Sequence, residues 1–138
     1  MRRIICIGTL LAADDAAGPL MFRRLAREAL PEDVELIDGG TRGLDLLPLF
    51  DGAQSVILID QVEGFLSAPG VVLLQEDELL QATAKHFDHQ VGLGYLLQIL
   101  PRVCEIAVPE LCMLGIEGCL NAENEKLCLD LLRRQLSA

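Results

Sequence analysis

The residues of this chain most able to do chemistry are Asp14, Asp15, Asp38, Asp60, His86 and His89. The acidic ones follow apolar runs that read as buried strands. Asp14 and Asp15 lie just past the first run, Asp38 ends the second and Asp60 ends the third. In open α/β sheets ligands bind outside the carboxyl ends of the strands, so a buried strand that finishes on a carboxylate is aiming it at something. Each has a structural alternative. Asp14 or Asp15 can cap a helix, Asp38 can brace the Gly39-Gly40 turn, and Asp60 stands evenly between function and structure. His89 opens an apolar helix, where an imidazole more often caps or packs. A helix leading into the carboxyl edge of the sheet would instead bring it toward Asp15 and Asp60. Two carboxylates and one imidazole form a mixed oxygen and nitrogen set suited to a borderline divalent ion such as nickel or zinc. Three protein ligands leave positions open for water or a substrate group. His86, three residues before His89, could share a helical face with it in a two-histidine site.

Other chemistry finds little support. There is no HExxH, no phosphate-binding P-loop, no GxSxG and no GxGxxG turn after the first strand. Ser55, Ser67 and Ser137 sit at a strand start, in a loop and at the end of the sequence. The five cysteines, Cys6, Cys104, Cys112, Cys119 and Cys128, form no CxxC pair. Cys6, Cys112 and Cys128 fall inside apolar runs, as buried free thiols do in a reducing compartment, and the expected location is the cytoplasm. A net charge of −10 argues against a nucleic-acid surface and against docking on anionic lipid. A basic segment of a protein partner suits it better.

The elements that must position these residues alternate between short apolar runs and helical patterns, the mark of βα units. Strands are expected over residues 3–8, 34–38, 55–60, 71–74 and 111–116, with 55–60 central. Helices are expected over 18–30, stopped by Pro31, and over 43–50, 77–85, 89–100 and 122–136. Met21, Leu25 and Ala29 should share the buried face of the first. Leu93, Leu96, Leu97 and Leu100 should face inward on the fourth, which Pro101 ends or kinks. Asn121 should cap the last, with Cys128, Leu131, Leu132 and Leu136 facing the sheet. The fold class is α/β, a three-layer α/β/α arrangement with a mainly parallel five-stranded twisted sheet. Residues 1–138 are expected to form one domain. Met1-Arg2-Arg3 and the apolar run behind them imitate a signal peptide, but a buried first strand accounts better for the acidic pair and the βα pattern that follow. No stretch reaches the roughly 18 apolar residues of a membrane span.

At these residues the sequence resembles the hydrogenase maturation endopeptidases, which trim the large subunits of nickel-iron hydrogenases. Members carry a first strand, a short loop, an acidic pair and a glycine, seen here from Cys6 through Asp14, Asp15 and Gly18 to Pro19. The family's Asp-Gly-Gly-Thr turn stands as Asp38-Gly39-Gly40-Thr41, followed by the similar helix Gly43-Leu44-Asp45-Leu46-Leu47. The third strand ends on Asp60, and the His-Gln-x-Gly-Leu segment is His89-Gln90-Val91-Gly92-Leu93. The fifth strand, Leu111-Cys112-Met113-Leu114-Gly115, is also similar, so the likeness covers residues 1–117. Two departures stand out. Thr9 replaces the usual Asn, and Glu117-Gly118-Cys119-Leu120 passes almost directly into the last helix where relatives have a longer, cleft-lining segment.

The resemblance implies a metal-dependent endopeptidase that makes one cut, removing the C-terminal extension of a hydrogenase large-subunit precursor after nickel insertion. Asp15, Asp60 and His89 fall on the family's metal-contacting positions. Asp38 falls on a position tied to activity or target discrimination and is the expected catalytic residue. The resemblance also implies that nickel arrives with the precursor and that zinc or cadmium can substitute. Two rival readings remain: a non-catalytic α/β module that holds a hydrogenase precursor or a small ligand, and a flavodoxin-like domain binding an anion near residues 8–18, where the acidic pair would repel phosphate.

Overall fold

In the computed structural model the described residues are 1–86 and 92–137, and within them the side chains of residues 84–86 are not described. Five strands form one sheet: β1 (Arg2–Ile7), β2 (Val34–Gly40), β3 (Ser55–Val62), β4 (Gly70–Gln75) and β5 (Glu110–Glu117). Their order is β2-β1-β3-β5-β4. The first four in that order run parallel, and β4 lies antiparallel to β5. Five helices cover it: α1 (Ala17–Leu25), α2 (Leu47–Phe50), α3 (Glu76–His86), α4 (Leu93–Val103) and α5 (Ala122–Ser137).

The continuous apolar runs of β1, β3 and β5 are explained by burial on both faces. One face carries Ile4, Cys6, Ile57, Ile59, Cys112, Leu114 and Ile116 against Met21 and Leu25 of α1 and Cys128, Leu129 and Leu132 of α5. The other carries Ile5, Ile7, Val56, Leu58, Val62, Leu111 and Met113 against Phe50 of α2, Leu79 of α3 and the four inward leucines of α4. This is the expected three-layer α/β/α architecture. No described helix is long and apolar enough to cross a membrane.

Several boundaries differ from the sequence expectation. α1 stops at Leu25, not at residue 30, and Ala29 is exposed. The stripe Ala17, Met21, Leu25 completes the contact with the sheet. The chain then unwinds through short i→i−3 bonds, Arg27 N–H to Arg24 O and Glu28 N–H to Leu25 O, and turns toward β2. β2 and β3 each run past their carboxylate, to Gly40 and Val62. In β2 the pairing passes from Cys6–Asp38 to Ile7–Gly40, so Gly39 is a bulge residue. In β3, Asp60 pairs with Gly115 and Val62 with Glu117, which places Asp60 inside the ladder.

α4 begins after Gly92, at φ 91°, and passes Pro101 to end at Val103. Proline in the last turn removes only the bond that its own N–H would make, and the helix closes within two residues of it. Position 89, the expected start of this helix, lies outside the described residues.

Candidate functional site

Asp60 is fully buried, and neither carboxylate oxygen has a hydrogen-bond partner among the described residues. Alternation along β3 turns it toward the α2–α4 face, with Val56, Leu58 and Val62. Burial, reinforced by the negative charge of Asp15, raises the Asp60 carboxyl well above its ordinary 3.8. The adjacent Gln61 N–H pulls the other way without reaching hydrogen-bonding geometry. An orphaned acid of this kind costs about 1–3 kcal/mol, and natural cores keep such groups sparingly.

Asp15 reaches the same site from the carboxyl end of β1. It is the last residue of a short 3-10 turn, Ala13–Asp15, and is only 9% exposed. The turn is pinned by its backbone: Thr9 N–H donates to Asp15 O at 2.9 Å, and Asp15 N–H donates to Ala12 O at 3.1 Å. Gly8 lets this happen. At its φ of 129° a Cβ would lie 2.2 Å from Asp15 O and 3.2 Å from Asp15 Oδ1. The Thr9 hydroxyl accepts from Leu11 N–H at 3.1 Å, so threonine braces this loop.

The remaining candidates are placed differently. Asp14 is exposed beside Asp15. Asp38 is exposed too, and its Oδ1 accepts from Gly40 N–H at 3.3 Å, bracing the turn. It pairs with Cys6, whose side chain faces α1 and α5, so Asp38 lies on the opposite side of the sheet from Asp60. His86 ends α3, and its side chain is not described. His89 lies outside the described residues. The start of α4 is informative nonetheless. A Cβ on Gly92 would sit 3.1 Å from Leu44 N, so α4 begins against the turn that follows β2, at the carboxyl edge and on the face toward which Asp60 points. Among the described residues no three His, Cys, Asp or Glu side chains are grouped closely enough to hold a metal ion.

Gln61 was not expected to matter. It is 6% exposed and points to the face opposite Asp60, where its Oε1 accepts from Ala16 N–H at 3.1 Å and Ala17 N–H at 3.0 Å. These are orphan donors at the start of α1, directly after Asp15. The signal available in the sequence was a second polar residue, next to Asp60, in an otherwise apolar strand.

A sequence profile described as hydrogenase maturation protease matches residues 20–118. The chain belongs to the hydrogenase maturation protease family. The match takes in Asp38, Asp60 and His89 and begins beyond Asp15. Among curated relatives, the hydrogenase 2 maturation protease of Escherichia coli is 34% identical over 100 residues, covering 70% of this chain and 61% of that protein. The hydrogenase expression/formation protein HupD of Rhodobacter capsulatus is 38% identical over 93 residues, covering 64% of this chain and 44% of that one. The chain therefore spans about half to three fifths of the length of these relatives. The solved structure of the hydrogenase maturating endopeptidase HybD from E. coli aligns over 99% of this chain and 90% of its own, with a TM-score of 0.79 and 25% identity. In this family member the connection from β5 to α5 is short: Gly118, at φ 80°, turns the chain, and Asn121 Oδ1 caps α5 by accepting from Asn124 N–H at 2.8 Å.

Proposed function

We propose that this chain is a cytoplasmic endopeptidase that removes the C-terminal extension of a nickel-iron hydrogenase large-subunit precursor once nickel has been inserted. The observation that carries this reading is Asp60: a buried carboxylate whose two oxygens have no hydrogen-bond partner among the described residues, close enough to Asp15 to feel its charge. The charge of Asp15 adds to burial in raising the cost of ionising Asp60, and a divalent cation would relieve that cost.

The donor set fits such an ion. Asp15, Asp60 and His89 would hold it, with His89 three residues before Gly92, which the chain can span in roughly 10 Å. The ion would arrive as part of the precursor, and zinc or cadmium could stand in for nickel. When bound, it would polarise the scissile carbonyl or lower the pKa of a bound water. The protein's own part is to orient and to manage protons. Asp60 would give up its carboxyl proton to hold the ion, so ion affinity should rise with pH. Leu58 and Val62, on the same face of β3 as Asp60, are buried in the apolar cluster beneath α4 and keep that face of the strand dry. Asp38, exposed near the carboxyl end of β2, is assigned to contact with the target.

The test is the mass of a nickel-loaded large-subunit precursor before and after incubation with this protein. The expected result is loss of a C-terminal peptide, abolished by Asp60→Asn and by His89→Ala while both variants remain folded. A stable complex whose precursor keeps its full mass would instead identify a binding module. Processing at the parental rate by either variant would remove that residue from the ligand set.

A further inference from the structure

Asp60 and Gln61 are consecutive residues of β3, so their side chains leave opposite faces of the sheet. Asp60 is a candidate ligand on one face. On the other, Gln61 Oε1 receives both Ala16 N–H and Ala17 N–H, the first free donors after Asp15. At the cap position itself the Ala16 side chain cannot accept, and no side-chain hydrogen bond from that residue closes the N-terminus of α1. Backbone contact at this junction is otherwise tight, since a Cβ on Gly18 would lie 1.9 Å from Ile7 O. The chain around Asp15 is thus fixed on one side by Gly8 and Thr9 and on the other by the Gln61 amide.

We propose that Gln61 is a positioning residue that ties Asp15 to Asp60 through a single step of β3, using its amide oxygen to hold the start of α1 so that Asp15 stands at a fixed place relative to Asp60. The proposal rests on the metal-site reading above. Its chemistry is that of an acceptor replacing a helix cap, carried on a neighbouring strand and not on the residue before the helix. A tether on β3 moves with Asp60, whereas a cap on the α1 loop would fix Asp15 only to its own turn.

The proposal is tested on the full chain with cobalt(II) as the probe ion, followed by its d–d absorption, alongside amide exchange at Ala16 and Ala17. Gln61→Leu removes the acceptor. It should speed exchange at both amides and weaken cobalt binding by roughly 10–100-fold, as loss of supporting partners around ligands commonly does. Gln61→Glu keeps an oxygen acceptor and should restore protection and affinity. A thermal melt of each variant separates this from general loss of fold. Cobalt binding by Gln61→Leu equal to that of the parent, with the two amides exposed to exchange, would overturn the role of Gln61 alone. Failure of cobalt to bind the parent chain would overturn the metal site itself, and Gln61's role with it. Should Gln61→Leu fail to fold, Gln61→Glu and Gln61→Met carry the same comparison.

Discussion

A buried carboxyl group with no hydrogen-bond partner among the described residues, set within a parallel ladder, couples the folding of this protein to pH. The Asp60 carboxyl is raised in the folded chain, first by burial and then by Asp15, while in the unfolded chain it ionises near 3.8. The folded state therefore holds the proton more tightly. Its stabilising effect is complete below about pH 3.8 and is lost as pH climbs toward the folded-state value, at up to about 1.4 kcal/mol per pH unit from this one group. Asp60→Asn has no proton to lose. In paired thermal melts from pH 4 to pH 8 the variant should gain on the parent steadily as pH rises, and saturating divalent ion should narrow the gap by stabilising only the parent. A pH-independent difference would mean that Asp60 is not the group described.

At the scale of elements, the start of α4 decides how its preceding segment enters the site. Gly92 combines a φ of 91° with a Cβ position 3.1 Å from Leu44 N and 3.6 Å from Gly43 Cα. Gly92→Ala should cost about 1–3 kcal/mol, seen as a lower urea midpoint with an unchanged slope. It should also weaken ion binding if His89 is a ligand. The elements themselves were legible in the sequence. Five apolar runs became five strands, and the leucines assigned to the core of α4 are buried. Less legible were the limits set by tertiary contact. The apolar face of α1 could be followed in sequence to Ala29, yet its packing against the sheet is complete at Leu25. β3 runs beyond Asp60 because Val62 still has the α2–α4 face to pack on, a fact of the neighbouring layer and not of the strand. The antiparallel entry of β4 beside β5 depends on which edge was free. Within the site, Asp60 announced itself as a charge at the end of an apolar run. Gln61 did not, because its partners, the N–H groups of Ala16 and Ala17, lie 45 and 44 residues away and have no side-chain signature.

Across the whole molecule, the double-sided core sorts the thiols. Cys6, Cys112 and Cys128 are buried between the sheet and the α1–α5 layer, and burial pushes Cys112 up to about 11 and Cys128 to about 12, with Cys6 higher still. Cys104 is half-buried, and its thiol is raised by burial and by the charge of nearby Asp51. Cys119 is exposed on the turn between β5 and α5. Brief alkylation of the native protein at pH 8 should label Cys119 first and Cys104 more slowly, while the three core cysteines react only after denaturation, as peptide masses would record. Fast labelling of Cys128 in the native state would mean that α5 does not stay on the sheet.

The back-to-back placement of Asp60 and Gln61 has a consequence for assembly. If β3 slid by one residue against β1 and β5, an amide would face the side proposed for the ion and a carboxylate would meet the two alanine N–H groups, while every neighbouring Ile, Leu and Val exchanged layers. Such a chain would lose the proposed ion site, and its core would be mismatched as well. The same strand that supplies the charge thereby makes the threading error self-defeating: only a molecule threaded in the native alignment keeps Asp60 on the face that carries Val56, Leu58 and Val62 and Gln61 on the N–H groups of Ala16 and Ala17.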